Sequence, residues 1–74
     1  MTNTEINQEA LSKLRSIRKV NTTTIAKYLS DNEILRDRDG MPYSGKWIMN
    51  SLKSKYPDPN IIEAIDYFYK KHNK

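Results

Sequence analysis

Ser44, Lys46, Asn50 and Lys53 fall within ten residues of one another and offer a hydroxyl, two ammonium groups and a carboxamide. At the start and along the outer face of one helix that set meets a nucleic-acid duplex well: lysines neutralise phosphates, and asparagine pairs with the edge of adenine. Ordinary exposed polar positions would carry the same residue types. Thr22, Thr23 and Lys27 form a second set, with hydroxyls and an ammonium suited to a phosphate and equally suited to capping a helix. Arg36 and Arg38 form a third, alternating with Asp37 and Asp39, so the loop they occupy is near neutral and reads either as a groove contact or as a salt-bridged tip.

Other chemistries are poorly supplied. There is no cysteine, and His72 is the one histidine, so neither thiol chemistry nor a metal centre can be assembled from the usual ligands. Two glycines, Gly40 and Gly45, make no phosphate-cradling loop. Arginines beside Asp37 and Asp39 favour their ionised form and unsuit them for general-acid work. The expectation is a protein that is not an enzyme, uses no cofactor and takes no small-molecule substrate.

Thirteen Lys and Arg against nine Asp and Glu leave a formal charge of +4 in 74 residues. Its distribution matters more than its size. Residues 10–30 hold Lys13, Arg15, Arg18, Lys19 and Lys27 with no acid, and residues 40–57 hold Lys46, Lys53 and Lys55 with none. Residues 58–66 hold Asp58, Glu63 and Asp66 with no base. Segregation of this kind favours an anionic partner for one side of the molecule, although a solvated basic surface would have the same composition. Apolar runs never exceed three residues, which excludes a membrane span and a signal-peptide core and suggests a cytoplasmic chain.

Four helices are predicted to position these groups in one all-α domain spanning residues 1–74. The first, Thr4 to about Lys19, is capped by Asn3 or Thr4 and aligns Ile6, Ala10, Leu14 and Ile17 in an apolar stripe. The second is capped by Thr22, Thr23 or Thr24, turns Ile25, Ala26 and Leu29 inward, and stops near Asn32. An extended loop or short β-hairpin follows, with a turn at Asp39-Gly40. Ser44 caps a third helix running to about Tyr56, which buries Ile48 and Leu52 with help from Trp47 or Met49 and from Tyr56. Asp58-Pro59 opens the fourth, which extends to about Lys71 and buries Ile61 or Ile62, Ile65 and Phe68. Tyr67, Phe68 and Tyr69 cannot all face inward, so Tyr67 and Tyr69 are candidates for a protein interface or a homodimer contact.

The stretch Thr22 to Leu52 resembles the helix-turn-helix-like part of the recombinase domain in large serine recombinases. Ile25-Ala26, Leu29, Gly40, Tyr43-Ser44, Ile48 and Leu52 carry the likeness, over 31 of 74 residues. The family usually has tryptophan where this chain has Tyr43 and glycine where it has Glu33. The resemblance implies a stand-alone DNA-recognition module of the kind found among regulators and excision factors of phages and mobile elements, with its third helix in the major groove of double-stranded DNA. A protein-binding adaptor or inhibitor, acting on a host nucleic-acid-binding protein through the acidic-aromatic fourth helix, is the alternative. Single-strand binding through Trp47 and tyrosines is a third reading; core packing would account for Trp47 as well.

Overall fold

Every helix opens on a side chain that accepts from an otherwise unpaired backbone amide. In the computed structural model, which describes residues 2–36 and 39–72, these helices are α1 (Asn3–Ser16), α2 (Thr22–Asp31), α3 (Gly45–Leu52) and α4 (Pro59–His72). Thr2 caps α1 rather than Asn3 or Thr4: its Oγ1 accepts from Glu5 N at 3.2 Å, and the Glu5 carboxylate accepts from Thr2 N at 3.3 Å. Asn21 caps α2 in the same reciprocal way, with Thr24 as its partner, so none of Thr22, Thr23 and Thr24 is itself the cap. Ser44 caps α3 as expected, its Oγ accepting from Trp47 N at 3.2 Å. Asp58 Oδ1 accepts from Asn60 N at 2.9 Å, and Pro59 takes the first position of α4, where no amide is needed.

The helix ends differ more from the sequence reading. α1 stops at Ser16, short of Lys19, which takes a left-handed backbone at φ +65°. α2 closes with the amide of Ile34 on Leu29 O at 2.9 Å and that of Glu33 on Ser30 O at 3.0 Å. This paired pattern puts Glu33 at φ +57°, a conformation that favours glycine. Glu33→Gly should raise stability by about 0.5–1 kcal/mol, the left-handed penalty less glycine's added unfolded entropy. A melt by circular dichroism should move up by roughly 5 °C; a fall would contradict the assignment of strain.

α3 ends at Leu52, four residues before the expected limit, and the Ser51 carbonyl in its last turn is taken by side chains. Asn7 Nδ2 donates to Ser51 O at 3.2 Å and to Ser54 O at 2.9 Å, and Ser54 Oγ donates to Ser51 O at 2.7 Å. Tyr56 therefore lies outside the helix and is 68% exposed, not part of the core.

The core gathers one stripe from each helix: Ala10 and Leu14, then Ile25, Ala26 and Leu29, then Ile48 and Leu52, then Ile61, Ala64 and Ile65. Ile6 and Phe68 are only half-buried, and the fully buried place next to Ile6 belongs to Asn7. α2 and α3 pack on each other, as do α1 and α4. Lys13 ties the second pair, reaching Asp66 at 3.0 Å and Glu9 at 3.4 Å. Its hydrogen bond to Asp66, aided by Glu9, holds the ammonium pKa above its ordinary value despite some desolvation. One of the five cations in the acid-free first block is thus neutralised through space.

The α2–α3 connection closes on itself. Arg36 N donates to Met41 O at 2.9 Å and Gly40 N to Arg36 O at 2.8 Å, with Gly40 at φ +67°. No strand occurs among the described residues, so the alternative of a β-hairpin gives way to a closed turn. Tyr43 anchors its far end: the ring is buried, and the hydroxyl donates to Asp58 Oδ2 at 2.8 Å and accepts from Asn60 Nδ2 at 3.2 Å.

Candidate functional site

Gly45 is the point on which the geometry of the candidate site turns. A Cβ there would stand 2.9 Å from Thr23 Oγ1 and 3.2 Å from both Thr22 Oγ1 and Thr23 N. The first turns of α2 and α3 therefore meet, and Thr22 and Thr23 come against Gly45, some twenty residues further along the chain. Sequence reasoning weighed Gly45 against a phosphate-cradling loop and missed this role; its signal was a glycine at the first position of a helix. Gly45→Ala should lower stability by about 1–2 kcal/mol through overpacking, seen as a melting temperature lower by roughly 5–10 °C. Adding Thr23→Ala, which removes the nearest atom, should recover part of that loss. An unchanged melt for the single variant would contradict the close approach.

At 100° per residue, Lys46, Asn50 and Lys53 fall within about 60° of one another around α3, opposite Ile48 and Leu52. All three are exposed. Lys53 belongs to the same helical register, since as the C-cap it keeps a right-handed helical backbone. Among the described residues neither lysine is in an ion pair. Two unpaired ammonium groups and a carboxamide thus form an open stripe, roughly 10 Å long at 1.5 Å per residue.

The other candidate residues go elsewhere. Lys27 is exposed but lines a groove between α2 and α4 with Tyr28, Asp31, Tyr67, Phe68 and Lys71. Arg36 is drawn into the loop's own structure: its Nε donates to Asp39 Oδ1 at 2.9 Å, its second nitrogen pairs with Oδ2, and the guanidinium lies 5.1 Å from the centroid of the Trp47 ring. The hydrogen bond from Arg36, supported by the amide of Met41, holds the Asp39 carboxyl below its usual range. Of the two readings of this loop, the salt-bridged tip is the one the geometry displays for Arg36. Arg38 lies outside the described residues. Trp47 is half-buried, packed against the core and edge-on to Tyr43 at 5.3 Å, and its remaining surface lines a groove beside α3.

On α4, Tyr67 is 49% exposed and touches Tyr28 at 5.1 Å between ring centroids. Tyr69 is half-buried beneath the Lys13 ammonium at 5.5 Å. Of the two proposed interface tyrosines, Tyr67 alone is largely open, because the Lys13–Asp66 bridge folds over the other. Compared with family models, with curated proteins and with solved structures, the chain gives no match. No helix among the described residues is long and apolar enough to cross a membrane, and no cluster of three metal-ligating side chains occurs among them.

Proposed function

We propose that this chain is a DNA-binding protein of helix-turn-helix type, not an enzyme, that places α3 in the major groove of a duplex. The observation that carries this reading is the open Lys46–Asn50–Lys53 stripe, backed by the junction at Gly45 that sets Thr22 and Thr23 against the start of α3. An exposed helix of this kind fits a groove about 12 Å wide, with Asn50 facing base edges and the lysines facing phosphates on either side. Hydroxyls and backbone amides at the two converging helix starts add donors for a phosphate. The resemblance of residues 22–52 to the recombinase-domain module of large serine recombinases agrees with it, and a transcriptional regulator or a recombination or excision accessory factor is the role it implies. One short helix in one groove gives modest affinity, so specific sites would be bound by a dimer or beside a second protein.

The experiment is a titration of labelled duplex followed by fluorescence anisotropy at several salt concentrations. Contacts to four to six phosphates predict a slope of log affinity against log salt of roughly −4 to −5. Salt-independent binding, or none to any duplex, would remove the proposal.

A specific observation favours a second reading, a protein-binding adaptor. Tyr28, Tyr67 and Phe68 form an aromatic cluster with centroids 5.1–5.3 Å apart along the α2–α4 groove, and Tyr67 leaves half its surface open. If that reading holds, Tyr67→Ala abolishes partner binding while Lys46→Ala does not.

A further inference from the structure

We propose that the groove beside the α3 stripe holds one unpaired nucleobase, so that the protein prefers a duplex carrying a bulged base over a fully paired one. This rests on the duplex-binding reading and adds a second, adjoining site to it. The groove, about 320 Å³, runs between α3 and the segment leading into α4, and is lined by Trp47, Asn50, Tyr56 and Asp58 among others. Asn50 belongs both to the groove and to the exposed stripe, so a strand following Lys46 and Lys53 passes its mouth.

The chemistry of the walls selects the occupant. Trp47 and Tyr56 are stacking surfaces, and any base has a face to offer them. The Trp47 ring is fixed in place by the Arg36 guanidinium at 5.1 Å and the Tyr43 ring at 5.3 Å, so little side-chain freedom is lost when a base arrives. Asp58 sits inside, its carboxylate held by Tyr43 and the Asn60 amide, with further lone pairs on each oxygen. A carboxylate inside the groove repels phosphate and accepts from an exocyclic amine. Lys53 and Lys55, both exposed, flank the groove in sequence and meet the backbone outside. Acid within and cations at the edge match a nucleotide whose neutral base points in and whose phosphate stays out. Adenine and cytosine carry the amine that Asp58 accepts, and thymine does not.

Trp47 is the chain's single tryptophan, so its emission reports on the groove directly. The test uses one labelled duplex in three forms: fully paired, with one bulged adenine, and with one bulged thymine. A single strand of the same sequence is the fourth probe. Anisotropy gives affinity and tryptophan emission gives base entry. The bulged-adenine duplex should bind roughly tenfold tighter than the paired one and quench Trp47, with a smaller gain for thymine. Tyr56→Ala should erase the advantage of the bulge and leave paired-duplex affinity unchanged, since Tyr56 is 68% exposed and outside the core. Tyr56→Phe, which keeps the ring, should retain it. Equal affinity for bulged and paired duplexes, without quenching, overturns the base site and leaves the duplex reading standing. Quenching by the single strand with no binding of paired duplex keeps the base site and overturns the duplex reading. Absence of binding to all four probes overturns both.

Discussion

Replacing Lys46 and Lys53 together by alanine should weaken duplex binding roughly 10- to 100-fold at about 0.1 M salt and reduce the magnitude of the salt slope by roughly 2. Lys46 on α3 and Lys53 at its C-cap are both exposed and in no ion pair among the described residues, so their removal takes away phosphate contacts and little else. The melting temperature should stay within about 4 °C, because surface substitutions of this kind usually shift stability by no more than about 0.5 kcal/mol. Asn50→Ala belongs to a different class. If Asn50 reads a base, its loss flattens the preference at one position by about 1–3 kcal/mol and leaves the salt slope unchanged. Lys70 is equally exposed, but on α4, and Lys70→Ala should leave both affinity and slope as they were. If the Lys46 and Lys53 pair proves silent while Lys27→Ala or Lys70→Ala weakens binding, the interface lies along α2 and α4, and the assignment of α3 is wrong.

What could be read from the sequence was local. The Ser44 and Asp58 starts, the inward residues of α2 and the pair Ile48 and Leu52 follow from caps and from periodicity, which need only near neighbours in the chain. Lys46, Asn50 and Lys53 share a face for the same reason. What escaped depends on partners far along the chain. Lys13 counted as a free cation until Asp66, fifty-three residues away, was found bonded to it. Thr22 and Thr23 read equally well as caps or as phosphate donors; their contact with Gly45 separates them from the capping role, which Asn21 fills. Tyr56 read as the last apolar turn of α3, and a tertiary partner, Asn7 at the end of α3, decided otherwise. Arg36 read equally as a groove contact or as part of a salt-bridged tip, and its bond to Asp39, three residues away, selects the second. Glu33 shows the converse, since its left-handed backbone is a local feature, but a glutamate gives no hint of it.

Asn7→Asp should remove most of the stability of the domain at neutral pH, by about 3 kcal/mol or more. Asn7 is 1% exposed and is the one buried polar side chain among the described residues. Its amide nitrogen donates to two carbonyls, those of Ser51 and Ser54, across a sequence separation of more than forty residues. The first bond ties the last turn of α3 to α1, and the second ties the segment that follows it. An ionised aspartate has only acceptors to set against the same two carbonyl oxygens, and no cation lies among its bonded partners. Its Oδ1 has no hydrogen-bond partner even in the native side chain, so the site offers nothing to stabilise a second negative oxygen. The pKa of the introduced carboxyl is therefore raised in the folded state above its unfolded value, and the sign of the pH dependence follows. The protonated form can donate to one carbonyl, so stability relative to the wild type is greatest below about pH 4 and is lost as pH rises through the folded pKa. A circular-dichroism melt should show a fall of roughly 12–24 °C at pH 7 and a smaller one at pH 4. Asn7→Ala, which carries no charge, should show a smaller loss at pH 7, about 1–3 kcal/mol, and a deficit that does not change with pH. An Asp variant that melts within a few degrees of the wild type at pH 7 would mean that the amide does not hold the end of α3. The position of the Lys46–Asn50–Lys53 stripe would then have to be fixed by Ile48, Leu52 and the Gly45 contact alone.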